Sequence, residues 1–210
     1  MDDELFKPRL KVILVRHGET EGWMDKRLDG YTDSPLTEKG KRQMQDVAER
    51  LARTKVNAIY SSDLSRTRQG AQMLAEKVGL KLNVVPELRE LNFGDLENLP
   101  YTEGLKKLGD DLNRALNWVD NRFPGGESLL DMRERVMPAY RKIVKDNSGM
   151  VALYAHGGTN RLILCEELGI DLHNFFRIEQ DHACINLIYR LLPDFAVVKL
   201  INGDLNSTRF

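Results

Sequence analysis

Charged and imidazole side chains follow several apolar segments of the sequence, at the points where those segments end. Arg16 and His17 come directly after "VILV", and Arg66 follows "AIYSS" by a few residues. Glu90 lies after "NVV", and His156 comes directly after "VALYA". If these segments are parallel strands, their carboxyl ends meet at one edge of a sheet, which is where ligands bind in open α/β folds. The spacing therefore predicts one site built from two arginines, two histidines and a carboxylate.

This set of side chains suits the transfer of a phosphoryl group. Guanidiniums bind a phosphate dianion through paired planar hydrogen bonds, and a glycine such as Gly157 lets backbone amides approach the anion closely. A neutral imidazole can attack the phosphorus in line with the departing oxygen and form a phosphohistidine. A second, protonated imidazole stabilises charge on the other oxygens, and a carboxylic acid protonates the departing alkoxide. This chemistry needs no metal and no cofactor, and the sequence places no third ligand to complete a metal site.

Several of these assignments have alternatives in the sequence. The acid is assigned to Glu90, although Glu87 and Glu97 lie close enough in sequence to take its place. Ser62 is either a ligand of the phosphate or a serine that bonds the backbone at a strand end. His182, which follows an aspartate, is either a residue at the mouth of the site or a structural histidine.

The segments between these residues have the periods of an α/β protein. Short runs rich in branched residues predict strands at 11–15, 57–61, 82–85, 150–155, 185–189 and 196–201. Apolar positions at helical spacing predict helices after Thr37, over 64–78, from 128 to about 146, and over 161–168. This alternation predicts a three-layer α/β/α sandwich. Its sheet is mainly parallel, with one antiparallel edge strand where the last two strands form a hairpin.

We expect residues 1–210 to form a single domain, with residues 95–127 as a helical excursion that covers the site. The two cysteines, Cys165 and Cys184, lie in apolar surroundings and are expected to be reduced core thiols. Lys and Arg are spread along a chain of net charge −1, and no apolar run approaches the length of a membrane span. These features predict a cytoplasmic protein that binds neither nucleic acid nor membranes.

Ordered motifs along nearly the whole chain resemble those of the histidine phosphatase superfamily, which has the phosphoglycerate-mutase-like fold. The motifs are "LVRHGET", "SPLTEKG", "YSSDLSRTRQGA", "LRELNFGD", "PGGES" and "AHGGTNR". The resemblance implies that His17 is the nucleophile that becomes phosphorylated during turnover. It also implies that Arg16, Arg66 and His156 form the phosphate pocket and that Glu90 is the proton donor. These roles agree with those inferred from the strand ends.

The sequence departs from the family pattern in segments that would contact the substrate. An asparagine that many members place near the phosphate is replaced by Trp23, or by Met24 if Gly22 is an insertion. Asp29, directly before Gly30, stands where a polar amide is common. The usual "FG-x-W-E-G" reads "FGDLENL". The candidate substrate pocket consists of Trp23, Asp29, Gly30 and His182.

The chain length and the resemblance together favour hydrolysis. The chain lacks the long insertion that follows the proton-donor motif in cofactor-dependent mutases. We therefore expect a phosphomonoesterase that acts on a small phosphorylated metabolite and releases inorganic phosphate. The segments "PGGES" and "FFRIEQDHACINLI" most resemble the α-ribazole phosphatase branch. Two alternatives stay open, a phosphomutase and a non-catalytic protein that binds phosphate, and the exposed edge of the hairpin would suit a homodimer.

Overall fold

The computed structural model describes residues 7–108, 119–192 and 195–204, which contain six strands and six α-helices. The strands are β1 (Leu10–Arg16), β2 (Ala58–Ser61), β3 (Leu82–Val84), β4 (Gly149–Ala155), β5 (Ile185–Leu192) and β6 (Phe195–Gly203). The helices are α1 (Glu21–Met24), α2 (Glu38–Ala52), α3 (Ser65–Val78), α4 (Tyr101–Leu108), α5 (Leu129–Asp146) and α6 (Gly157–Leu168). All six predicted strands occur, with boundaries shifted by at most a few residues.

The six strands form one sheet in the order β3-β2-β4-β1-β5-β6. The first four strands in this order are parallel to one another. Strand β5 runs antiparallel to β1 and forms a hairpin with the edge strand β6. The prediction of a mainly parallel sheet with an antiparallel edge is therefore confirmed. Strands β1 and β4 are buried along most of their length, as their continuous apolar sequences require.

Helices cover both faces of the sheet, which confirms the predicted three layers. Successive residues of a strand point to opposite faces. Val12 and Leu14 of β1 accordingly pack in one core with α5 and α6, whereas Ile13 and Val15 pack in a second core with α2 and α3. Because both faces of β1 and β4 are packed in this way, their carboxyl ends are held side by side.

Two helix starts bear on the site. Helix α2 begins where predicted, because the Thr37 hydroxyl accepts a hydrogen bond from an amide of the first turn. Helix α6 begins at Gly157, one turn before the predicted start at Arg161. The prediction started the helix too late because glycine disfavours helices. In the structure, a Cβ on Gly158 would lie 2.1 Å from the Glu90 carboxylate. Glycine at position 158 therefore lets the first turn of α6 pass close to the Glu90 carboxylate.

The predicted helical excursion at 95–127 contains helix α4, and residues 109–118 lie outside the described residues. A short 3-10 turn, Gly94–Leu96, precedes α4, and Phe123 is buried in the core after it. Within the described ranges, no helix is both long enough and apolar enough to cross a membrane.

Both cysteines are free thiols buried in the protein, as predicted. Burial raises the pKa of Cys165 to about 11 and that of Cys184 to about 12. Both thiols therefore stay protonated near neutral pH and serve as packing groups rather than as nucleophiles.

Candidate active site

The carboxyl ends of β1 and β4 open into a cavity of about 410 Å³. Arg16 and His17 enter its lining from the end of β1, and Gly157 and Gly158 enter it from the start of α6. Glu90 reaches the same lining from the loop after β3. Since β1 and β4 are direct neighbours in the sheet, segments that are distant in sequence meet here without help from long loops.

Hydrogen bonding fixes which nitrogen of His17 carries the proton. The Nδ1 atom lies 2.8 Å from the Gly18 carbonyl oxygen, which can only accept, so Nδ1–H is the donor. Nε2 then carries the lone pair of the neutral ring. Burial, together with the charges of Arg66 and Arg16, holds the pKa of His17 well below its ordinary value. At neutral pH His17 is therefore a neutral imidazole whose Nε2 can act as a nucleophile.

His156 is completely buried and is held by two hydroxyl groups. Its Nε2 atom lies 2.8 Å from the Ser62 oxygen, which lies 2.8 Å from the Thr67 oxygen. Thr67 donates its one hydroxyl proton to the Leu64 carbonyl, so the Ser62 hydroxyl donates to Thr67 and accepts from His156 Nε2–H. Ser62 thus contacts His156, a partner that neither interpretation from the sequence included.

The remaining ring nitrogen of His156, Nδ1, is buried and has no hydrogen-bond partner among the described residues. Burial and the charges of Arg66 and Arg16 hold the pKa of His156 well below its ordinary value, so the ring is neutral in the unliganded protein. A dianion bound nearby would favour the imidazolium form and raise that pKa. His156 is therefore suited to take up a proton when an anion binds and to donate it in a hydrogen bond from Nδ1.

Arg66 is completely buried in the first turn of α3. Its guanidinium donates to three backbone carbonyls of one loop, those of Thr32 at 2.8 Å, Gly30 at 2.7 Å and Asp29 at 3.2 Å. Its Nε–H has no partner among the described residues. Burial lowers the pKa of Arg66, but arginine remains charged in proteins. Arg66 is thus a fixed positive charge whose Nε–H remains available as a donor.

Arg16, the last residue of β1, is oriented by the loop before β5. Its guanidinium donates to the Gln180 carbonyl and, at 3.1 Å, to Nε2 of His182. Because arginine can only donate, His182 Nε2 is unprotonated, and burial together with the Arg16 charge lowers the pKa of His182 to about 3. As in Arg66, the Nε–H of Arg16 has no partner in the described part of the chain.

The three carboxylates considered for the acid lie in different places. The Glu90 carboxylate lines the cavity and accepts hydrogen bonds from two backbone amides, one of them that of Gly158 at 2.9 Å. Glu87 is exposed and lies outside the cavity lining. Glu97 also lies outside the lining, and its carboxylate accepts five hydrogen bonds from neighbouring loops. Glu90 is therefore the one of the three beside the histidines.

Three of the four candidate pocket residues line the cavity, and Gly30 does not. Trp23, which is 45% exposed, lines the cavity with its ring 5.0 Å from that of His182, another lining residue. Asp29 also lines the cavity, and burial raises the pKa of its carboxyl. Gly30 is not in the lining, because its amide and its carbonyl bond neighbouring side chains of the protein.

A comparison of the sequence with known protein families identifies the family of this chain. A family model described as histidine phosphatase superfamily (branch 1) matches residues 12–202. The chain belongs to the histidine phosphatase superfamily. It is 39% identical over 151 residues to a protein of Escherichia fergusonii named "Probable phosphoglycerate mutase GpmB", an alignment that covers 70% of each chain.

Solved structures of histidine phosphatases share the fold. A mycobacterial glucosyl-3-phosphoglycerate phosphatase, determined with inorganic phosphate, superposes with a TM-score of 0.82 at 25% identity over 94% of this chain and 99% of that one. An α-ribazole phosphatase from Shigella flexneri superposes with a TM-score of 0.82 at 23% identity, over 92% and 96% of the two chains. The predicted phosphoglycerate-mutase-like fold is confirmed by these likenesses.

This superfamily member also has cavity residues that the sequence did not single out. Aromatic rings form much of the lining, at Tyr101, Phe93, Phe123, Phe175 and Phe176. Two further guanidiniums join that of Arg16 in the lining, those of Arg27 and Arg161. Arg161, one turn into α6, donates to the Ile178 carbonyl at 2.7 Å. One signal was available in the sequence, because Arg161 ends the motif "AHGGTNR". The aromatic residues lie in segments without periodicity, so nothing in the pattern fixed their direction.

The arrangement of this histidine phosphatase site is suited to an anionic, electrophilic ligand. It places a neutral imidazole, a second imidazole with an unpartnered nitrogen and a carboxyl group around donors that carry positive charge. Among the described residues, no group of three or more His, Cys, Asp or Glu side chains could hold a metal ion. Positive charge at the cavity comes from three lining arginines, Arg16, Arg27 and Arg161. Arg66 lies outside the lining, and its charge acts on His17 and His156.

Proposed function

We propose that this histidine phosphatase is a metal-independent phosphomonoesterase that hydrolyses a small phosphorylated metabolite. The reaction proceeds through a phosphohistidine on His17 and releases inorganic phosphate. One observation carries the proposal, the hydrogen bond from His17 Nδ1 to the Gly18 carbonyl. It leaves the Nε2 lone pair available beside two guanidiniums, as attack on a phosphate ester requires.

Substrate binding begins with Arg16 and Arg66, whose unpartnered Nε–H groups would donate to the phosphate oxygens. The dianion raises the pKa of His156, which takes up a proton and donates from Nδ1 to another oxygen. These donors stabilise the negative charge of the transferred phosphoryl group, so the proposed reaction needs no metal. Each well-placed donor of this kind contributes about 3 kcal/mol to transition-state stabilisation.

The chemistry then takes place in two steps. His17 Nε2 attacks phosphorus, the ester P–O bond breaks, and Glu90 gives its proton to the departing alkoxide, which leaves as the alcohol. The Glu90 carboxylate next removes a proton from water, whose oxygen attacks the phosphohistidine. The P–N bond breaks, its electron pair returns to Nε2, and inorganic phosphate leaves. The two amides that bond Glu90 hold it in place for both proton transfers.

The alcohol part of the substrate would occupy the cavity beyond the phosphate. Aromatic rings, including Trp23, Tyr101 and Phe123, would pack against an apolar portion, and Arg161 would favour an anionic substituent. The volume of about 410 Å³ suits a metabolite rather than a folded partner. A substrate panel should therefore contain α-ribazole phosphate, which the sequence suggested, and phosphoglycerates, which the names of relatives suggest.

A colorimetric assay tests the proposal. The protein is incubated with para-nitrophenyl phosphate and excess chelator, and released phosphate is compared with that from His17→Asn. We expect release by the wild-type protein and a loss of about 1,000-fold or more in the variant, because asparagine cannot form the covalent intermediate. Equal release by both proteins would contradict the role of His17. No release from any member of the substrate panel would contradict hydrolysis.

The names of curated relatives favour a second candidate, a phosphomutase acting on phosphoglycerate. The two reactions differ only in what attacks the phosphohistidine, which is water in one case and a substrate hydroxyl in the other. A mutase would move phosphate between the hydroxyls of phosphoglycerate, would be stimulated by a bisphosphorylated primer and would release little free phosphate. Measuring isomerised product and free phosphate in the same reaction separates the two.

A further inference from the structure

Glu97 accepts five hydrogen bonds although it lies outside the cavity. Its Oε1 atom accepts from the amides of Tyr31 and Phe93, both at 2.9 Å. Its Oε2 atom accepts from the Gly30 amide at 3.2 Å, the Thr32 amide at 2.8 Å and the Thr32 hydroxyl at 2.7 Å. Three consecutive amides of one loop thus converge on a single carboxylate, as they do around bound anions.

This loop consists of residues 29–32 and binds Arg66 on its opposite side. We call it the Arg66 loop. The peptide group between Gly30 and Tyr31 accepts from Arg66 through its carbonyl at 2.7 Å and donates to Glu97 through its N–H at 2.9 Å. The peptide group between Asp29 and Gly30 likewise accepts from Arg66 at 3.2 Å and donates to Glu97 at 3.2 Å. A trans peptide group can join both partners because its C=O and N–H point in opposite directions.

Two peptide dipoles are therefore aligned between a carboxylate and a guanidinium. The N–H end of each dipole faces the negative charge of Glu97, and the C=O end faces the positive charge of Arg66, so both charges stabilise the arrangement. Glu97 also partly offsets the effect of burial on the pKa of Arg66. A Cβ on Gly30 would lie 2.3 Å from Glu97 Oε1, so the Arg66 loop needs glycine at this point.

We propose that Glu97 is a positioning residue for phosphate binding. It acts through the Arg66 loop to hold the Arg66 guanidinium in the orientation that binds the transferred phosphoryl group. This inference rests on the proposed function, because it takes Arg66 to be a ligand of that group. The sequence left Glu97 as an alternative acid, whereas its five hydrogen bonds assign it to support of an arginine.

Glutamine cannot replace Glu97, although the two side chains have nearly the same shape. In glutamine an NH₂ group replaces one of the two carboxylate oxygens. This NH₂ group would face two or three N–H and O–H donors. At least one peptide group of the Arg66 loop would lose its acceptor, and buried Arg66 would lose a compensating charge. We expect Glu97→Gln to weaken the binding of inorganic phosphate by about 10-fold to 100-fold.

A double-mutant cycle with Arg66→Gln separates positioning from a general loss of structure. Calorimetry measures the affinity for inorganic phosphate in the wild-type protein, both single variants and the double variant. If Glu97 acts through Arg66, then Glu97→Gln weakens binding by less than about 3-fold once Arg66 is absent. The same loss in both backgrounds would overturn the proposal, and so would wild-type affinity in Glu97→Gln.

Two further variants serve as controls. Glu87→Gln makes the same chemical change at an exposed glutamate on the same segment and should leave the affinity unchanged. If Glu97→Gln does not fold, Thr32→Val removes one of the five hydrogen bonds and keeps the peptide groups. It should weaken binding by about 3-fold, and this loss should disappear in the Arg66→Gln background. A loss that persists there would contradict the proposal.

The cycle measures binding and not turnover, so its failure is distinguishable from failure of the proposed function. A wild-type protein that binds phosphate but hydrolyses no ester would contradict the hydrolysis, while the cycle would still decide the role of Glu97. A wild-type protein that does not bind phosphate would contradict the role given to Glu97, whereas the colorimetric assay would still decide whether the protein hydrolyses an ester.

Discussion

His17 and His156 stand edge to face, with 5.3 Å between their ring centroids and 61° between their planes. The register of the sheet produces this contact, because the preceding residues, Arg16 and Ala155, are direct partners in the pairing of β1 with β4. Each histidine is the next residue after its strand. Neighbouring parallel strands therefore place the proposed nucleophile, His17, beside the second imidazole.

Ser62→Ala should impair catalysis more than it impairs folding. The substitution removes the hydroxyl that accepts from His156 Nε2 and leaves that nitrogen buried without a partner. The ring would lose its fixed orientation, so we expect kcat/KM for para-nitrophenyl phosphate to fall by about 10-fold to 100-fold. Ser61→Ala is the matched control, since the only partner of the Ser61 hydroxyl within the described ranges is the Ser62 carbonyl. Equal losses in the two variants would argue against a specific role for Ser62.

The Gly158→Ala variant should keep its thermal stability but should have a lower kcat. Its Cβ would lie 2.1 Å from Glu90 Oε1, and the carboxylate, as the free end of a side chain, would move away. We expect kcat to fall by about 100-fold through displacement of the acid, with no loss of thermal stability, because alanine favours a helix more than glycine does.

Gly79→Ala is the matched control and should behave in the opposite way. Gly79 ends α3 at φ 69°, and its added Cβ would meet no atom within 4 Å. We expect a stability loss of about 1 kcal/mol with unchanged kcat, because alanine disfavours this left-handed conformation. A Gly158→Ala protein with wild-type kcat would contradict the position assigned to Glu90.

Three histidines should stay neutral well into the acidic range. Burial and nearby arginines lower the pKa values of His17, His156 and His182, the last to about 3. We expect the imidazole NMR signals of these residues in the unliganded protein to show no titration between pH 8 and about pH 5.5. On saturation with phosphate, we expect the signal of His156 to show the uptake of a proton. A midpoint near 6.5 for His17 would be incompatible with a neutral nucleophile held in this way.

The same shifts predict a loss of stability in acid. In the unfolded chain these histidines take up protons as the pH falls below their ordinary pKa, whereas in the folded protein they remain neutral. The unfolded state then binds more protons, so the free energy of unfolding falls with decreasing pH, by up to about 1.4 kcal/mol per pH unit for each histidine. Denaturant unfolding between pH 7 and pH 5 measures this slope. His182→Gln should reduce the slope, and an unchanged slope would contradict neutral burial of His182.

The grouping of the candidate site residues could be predicted from the sequence because each of them follows a strand closely. Apolar segments with abrupt polar ends predicted β1 and β4, and parallel pairing then placed the residues that follow them together. Arg66 and Glu90 were found by the same rule, each a few residues beyond a strand. No knowledge of loop conformation was needed for these five positions.

Other parts of the site depend on contacts that no periodicity encodes. The bond between Ser62 and His156 requires a rotamer, and the five hydrogen bonds of Glu97 require the fold of the Arg66 loop. The start of α6 was misplaced because glycine propensity was weighed without the nearby Glu90 carboxylate. Tyr101 and Phe123 lie in the segment 95–127, where the sequence is aperiodic and leaves the direction of each side chain undetermined.

Mass spectrometry of the quenched enzyme offers the sharpest test of the mechanism. The protein is mixed with a phosphate ester, denatured within one turnover and digested under alkaline conditions that preserve phosphohistidine. We predict phosphate on His17, acid-labile and absent from His17→Asn. With para-nitrophenyl phosphate, whose leaving group departs without a proton from Glu90, we predict more of it in Glu90→Gln, in which water is poorly activated. Phosphate found on another residue, or steady hydrolysis without any covalent phosphate on His17, would contradict the mechanism.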